Sequence, residues 1–150
     1  AGNASGVNDG AAFMVLAAAD VAAKAGQKPI ARLVSYAVAG VPNHIMGEGP
    51  IPATKIALQR AGLTLDKIDV IESNEAFAAQ ALAVTKGLGL DPAKTNVNGG
   101  AVALGHPVGC TGAAIATKAI YELHRTGGKH ALVTMCIGGG QGIAAIFERI

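Results

Sequence analysis

KHALVTMCIGGGQGIAAIFERI, residues 129–150, holds two apolar runs, KHALVTMCI and GIAAIFERI, parted by GGGQ. Two such runs about a glycine turn predict an antiparallel β-hairpin closing the chain. Upstream, Pro107 suits the first position of a long helix running to about His124, and DPAKTN before it reads as a turn. EAFAAQALAVTKGLG, 75–89, is a helix with Asn74 or Ser73 as its N-cap, and IDVIES, 68–73, is a short buried strand. ATKIALQRAG, 53–62, is a helix ending on Gly62, reached through the long loop VPNHIMGEGPIP. ARLVSYAVAG, 31–40, is a strand, DVAAKAG is a short helix closed by Gly26, and AAFMVLAAA, 11–19, reads as a strand buried on both faces, although its alanine-rich end can also turn helical. The result is an α/β fold: a mixed, mainly parallel five-stranded sheet with helices on both faces, forming one domain over 1–150.

Composition agrees with that fold and excludes several functions. Hydrophobic residues make up 51% of the chain, aromatics only 3%, and there are 21 glycines, as close-packed α/β layers of small side chains require. Net charge is +2 with 15% charged residues, and the basic ones are scattered, so nucleic acid has no electrostatic footprint. No apolar run reaches the length of a membrane span, and AGNASGVNDG is no signal peptide. The opening also lacks an initiator Met, which leads us to expect a fragment of a longer chain. Cys110 and Cys136 form no CxxC pair, which points to reduced thiols in a cytoplasmic protein.

Three motifs carry candidate chemistry. In ESNEAFAAQ, Asn74 stands at a strand-to-helix junction, where it caps the helix or holds a water in a cleft. In ALGHPVGCTG, His106 precedes the expected helix start. The dipole there would depress its pKa and keep a neutral ring as donor or base, and a structural histidine is the plainer alternative. Cys136 ends an apolar strand before GGGQG, whose main-chain N–H groups are open to an oxyanion, although a strand cysteine also serves as core. Neither GxxxxGK[ST] nor GxGxxG is present, which disfavours nucleotide phosphates, and His106 with Cys110 lacks the further ligands of a metal site.

Taken together, NEAF at 74–77, GHPVGCTG at 105–112 and CIGGGQG at 136–142 resemble the thiolase family, as do GNASGVNDGAA and MGEGPIPA. The likeness covers essentially the whole chain and is nearest to the C-terminal half of bacterial acetyl-CoA acetyltransferases. It implies a three-layer α/β/α domain, a missing N-terminal half bearing the nucleophilic cysteine, and a homotetramer. It also implies reversible Claisen condensation of acetyl-CoA to acetoacetyl-CoA and CoA, with CoA as substrate or product and no cofactor.

By the same resemblance, His106 and a water on Asn74 would stabilise the enolate, and His106 would also activate the nucleophile as a base. Cys136 would be the acid/base thiol, its pKa lowered by neighbours, and the Gly138 N–H would hold an oxyanion. Ser5 and Gly6 would contact the pantetheine arm, with Met46, Ala76 and Phe77 walling the acyl pocket. Cys110 receives no role. The rival readings are a degradative 3-ketoacyl-CoA thiolase, a decarboxylating ketoacyl synthase, and a non-catalytic acyl-CoA-binding or assembly fragment.

Overall fold

A computed structural model describes residues 2–150 of the chain. In order they form α1 (Ala19–Lys24), β1 (Ala31–Gly40), α2 (Pro50–Ala61), β2 (Val70–Ser73), α3 (Ala78–Leu88), α4 (Ala101–Leu104), α5 (Thr111–Thr126), β3 (His130–Ile137) and β4 (Gln141–Arg149). Short 3-10 turns occupy Asn43–Glu48 and Leu65–Lys67. The closing hairpin forms as the sequence predicts, β3 pairing antiparallel with β4 from His130 opposite Glu148 to Ile137 opposite Gln141. β1 lies antiparallel on the far side of β4, and β2 lies parallel to β3, giving the order β1-β4-β3-β2.

The sheet therefore has four strands instead of five, and among the described residues only β2 and β3 run parallel. The missing strand is AAFMVLAAA. Among the described residues it has no ladder partner, and from Ala19 it turns into α1. Met14 leans on the cluster of Val70, Ile115 and Leu123, whereas Phe13 and Val15 are 92% and 99% exposed. An apolar run states that a segment needs burial; it does not state that the partner lies in the same chain.

Helices cover both faces of the sheet. Leu132 and Ile146 pack with Ala53 and Ala57 of α2 and Val84 of α3 on one side; Ala131 and Val133 pack with Ile115, Ala119 and Leu123 of α5 on the other. The alternation along β3 is the two-residue period of a strand buried on both faces. α2 has proline at its start, which needs no N–H there, and closes on left-handed Gly62, with the Leu63 N–H donating to the Leu58 carbonyl at 3.1 Å.

Helix starts differ from expectation in three places. α2 begins at Pro50, within the stretch expected to be loop, and α4 was not foreseen. α3 begins only at Ala78, with no side-chain cap, so neither Asn74 nor Ser73 is its N-cap; Phe77 is still extended. α5 begins at Thr111 rather than Pro107, because Pro107 to Cys110 form a separate turn in which the Cys110 N–H returns to the Pro107 carbonyl.

These strand directions gather the loops that matter. Gly40 faces Gln141 and Gln141 faces Ile137, so the end of β1 and the hairpin turn share one edge with the carboxyl end of β2. In an open α/β sheet that edge is where ligands bind.

Candidate active site

Asn74 is the first residue beyond β2. Its N–H donates to the Thr134 carbonyl at 2.9 Å, extending the parallel ladder, and the residue is buried. Behind it, Asn96 grips the strand end: its Oδ1 accepts from the Ser73 N–H at 2.9 Å and its Nδ2 donates to the Ser73 carbonyl at 2.8 Å. Asn96 does this with φ of 50°, a left-handed conformation that asparagine tolerates better than most residues. Glu75 accepts from Asn96 at 3.2 Å and, with its other oxygen, from the Val102 N–H opening α4 at 3.0 Å. Asn74 is thus set by a clamp rather than by capping.

His106 faces it, with Nε2 3.4 Å from Asn74 Nδ2 and Nδ1 2.7 Å from Thr111 Oγ1. The His106 N–H donates to the Gly6 carbonyl at 2.9 Å, which anchors the opening loop on the histidine turn. Burial pushes the imidazolium pKa below its ordinary value, so the ring is neutral at pH 7. The direction matches the expectation but the cause differs: α5 starts five residues after His106, and burial replaces the helix dipole.

Cys136 lies near the end of β3, buried and free, on the same side of the strand as Thr134 and Leu132. Burial raises its thiol pKa, and a backbone hydrogen bond offsets this only in part. The expected lowering by neighbours is therefore corrected: a thiol among apolar side chains keeps its proton. Gly138 follows in the exposed turn, ahead of Gly140, whose carbonyl accepts from the Val41 N–H at 2.7 Å. Among the described residues no hydrogen bond joins Cys136 or Gly138 to His106 or Asn74, although all four stand at the same edge.

The remaining expected residues lie around the same edge. Ser5 donates from both its N–H and its hydroxyl to the Ala76 carbonyl, at 3.0 and 3.1 Å, and Ala4 bridges Phe77. Ser5 and Gly6 therefore sit over the Asn74–Phe77 segment. Ala76 is buried and Phe77 is 45% exposed, so only Phe77 presents its side chain outward. Met46, half-buried in the 3-10 turn, is held near α3 because Gln80 Nε2 donates to the Gly47 carbonyl at 2.9 Å. No group of three or more His, Cys, Asp or Glu gathers as for a metal among the described residues.

Residues 27–149 match the family model of the thiolase C-terminal domain. The chain belongs to the thiolase family. It is 67% identical over 150 residues to the beta-ketothiolase BktB of Cupriavidus necator and 57% identical to an acetyl-CoA acetyltransferase of Escherichia coli, covering 100% of this chain and 38% of each relative. Among solved structures, the Bacillus anthracis acetyl-CoA acetyltransferase superposes with a TM-score of 0.97 at 50% identity, over 99% of this chain and 38% of that one. Human mitochondrial 3-ketoacyl-CoA thiolase in complex with CoA gives 0.91 at 48% identity, with the same coverage. This thiolase chain therefore spans well under half the length of the relatives it matches.

Three residues that hold this edge together have no counterpart in the sequence analysis: Asn96, Gln80 and Thr111. Asn96 and Gln80 act on partners 23 and 33 residues away, a link no local pattern carries. Thr111 alone had a local signal, standing five positions after His106 in the same motif.

Proposed function

We propose that this chain is the C-terminal domain, over 1–150, of an acyltransferase that interconverts two acetyl-CoA with acetoacetyl-CoA and CoA, or the longer 3-oxoacyl-CoA equivalents. The observation that carries this reading is the pairing of neutral His106 with clamped Asn74, 3.4 Å apart at the sheet edge that also holds the Cys136 thiol. Two polar groups so placed lie where donors must stand for a thioester enolate, and each preorganised donor is worth about 3–4 kcal/mol.

In the cleavage direction, a cysteine supplied by the upstream half attacks the 3-oxo carbonyl. The carbon–carbon bond breaks, and its electron pair passes onto the α-carbon of the departing acetyl-CoA as an enolate. His106 and Asn74 hold the enolate oxygen, the Cys136 thiol protonates the carbon, and CoA then takes the acyl group from the upstream cysteine. Condensation runs these steps backward, so Cys136 must then give up its proton before it can take one from acetyl-CoA. A degradative 3-ketoacyl-CoA thiolase is the second reading, supported by the 48% identity to the human mitochondrial 3-ketoacyl-CoA thiolase.

Gly138 would offer its N–H to the acyl-enzyme oxyanion, Ser5 and Gly6 would receive the pantetheine arm, and Met46, Ala76 and Phe77 would bound the acyl chain. We further propose a cytoplasmic homotetramer that needs no cofactor, CoA being substrate or product. Its N-terminal half would cover the outward face of AAFMVLAAA. The intact protein should consume acetoacetyl-CoA in a strictly CoA-dependent manner, followed as loss of its enolate absorbance; absence of cleavage with short and medium 3-oxoacyl-CoA alike would refute the reading.

A further inference from the structure

Glu72 is a buried carboxylate with no part in the chemistry proposed for this edge. It sits in β2 two residues before Asn74, on the same face of the strand, and is 1% exposed. Among the described residues its one charged partner is Lys118 of α5, whose Nζ donates to Oε2 at 3.0 Å; Oε1 is buried without a partner. The same Nζ donates to the Gly99 carbonyl at 2.7 Å. Burial pushes the Glu72 carboxyl above its ordinary pKa, and Lys118 offsets only part of that cost. A buried pair satisfied this incompletely is a poor source of stability, since apolar side chains of similar volume in its place are often neutral or better. What the pair does supply is a fixed position.

That position matters because of where Gly99 leads. Its N–H closes a turn on the Asn96 carbonyl at 2.8 Å, with φ of 88°, and the chain then runs through α4 and Gly105 into His106. Asn96 ties the near end of this segment to Ser73, and α5 meets its far end at Thr111, whose Oγ1 lies 2.7 Å from His106 Nδ1. Lys118 stands about two helical turns along α5 from Thr111, so one face of the helix touches both Gly99 and His106. We propose that Glu72 and Lys118 form a positioning pair for the reaction: the buried carboxylate fixes the ammonium, the ammonium holds the Gly99 carbonyl, and the segment that begins there sets how far His106 stands from Asn74. Because Glu72 also precedes Asn74 in the same strand, the pair refers both side chains of the 3.4 Å contact to one buried point. Glu72 and Lys118 act only through those two side chains.

The kinetic consequence rests on the thiolase reading; the positions do not. In the intact natural protein, Lys118→Met alone would strand the Glu72 carboxylate, so the informative variant combines Glu72→Met with Lys118→Met, which removes both charges and keeps unbranched side chains. Its urea midpoint is expected to equal or exceed that of the natural protein. Its kcat for cleavage of acetoacetyl-CoA by CoA is expected to fall about 10–100-fold, the scale of a misplacement of about 1 Å, with KM within about twofold. Lys118→Arg, which keeps a cation and donors for both acceptors, is expected to retain most of kcat. An unchanged kcat in the double variant overturns the proposal, as does a midpoint lowered together with kcat. A crystal structure of the double variant reads the geometry without turnover: the segment from Gly99 to Gly105 is expected to shift away from α5 and the His106–Asn74 separation to depart from 3.4 Å. An unmoved segment overturns the proposal even in an active thiolase. A shifted segment, in a protein that cleaves no 3-oxoacyl-CoA before substitution, overturns the functional reading and leaves the geometry of the pair standing.

Discussion

At the scale of single residues, burial sets the protonation states. Cys136 is 7% exposed, and its raised pKa means that less thiolate is present at neutral pH than for a free cysteine, whose pKa is about 8.5. We therefore predict that iodoacetamide alkylates Cys136 slowly at pH 7.5 and that the rate keeps climbing with pH beyond the ordinary thiol range. A rate that levels off near pH 7 would mean a low thiol pKa. The sequence could name Cys136, His106 and Asn74 because each stands in a recognisable motif. It could not give the direction of the Cys136 shift, nor the cause of the His106 shift. Both depend on which side chains pack against the group, and those come from distant segments.

At the scale of elements, the hairpin and the helices with glycine ends were legible because their signals are local: two apolar runs about GGGQ, and glycines at positions where the backbone turns left-handed. The starts of α3 and α5 were not, since Asn96 and the Pro107 turn override the capping preferences of Ser73, Asn74 and Pro107. One close approach decides how the Met46 turn is seated. Gly142 of β4 lies against Gly49 so closely that a Cβ at either position would overlap the other's backbone. Gly142→Ala should therefore destabilise the fold by at least about 1–3 kcal/mol, as overpacking does, seen as a lower urea midpoint. Gly112→Ala, where the new methyl would meet only the Met135 sulfur at 3.7 Å, should leave the midpoint nearly unchanged. Equal stability of the two variants would show that the Gly49–Gly142 contact is not tight.

At the scale of the whole molecule, the fifth strand is the instructive miss. AAFMVLAAA has the apolar character of a buried strand, yet only Met14 leans on the core while Phe13, Val15 and Leu16 stay exposed. Hydrophobic pattern reports a demand for burial, and here the demand exceeds what the described residues supply. The chain covers 38% of the relatives it matches, and that coverage and the bare face are what support the proposal of an upstream half. The central claim is a division of labour, with acylation upstream and proton transfer at Cys136. The most direct test is Cys136→Ser in the intact protein, supplied with acetyl-CoA and followed by intact mass and by acetoacetyl-CoA formation. An acetyl adduct on the upstream cysteine should still form while condensation falls about 10²–10⁴-fold, the usual worth of a positioned acid/base group; condensation at the unaltered rate would contradict the account.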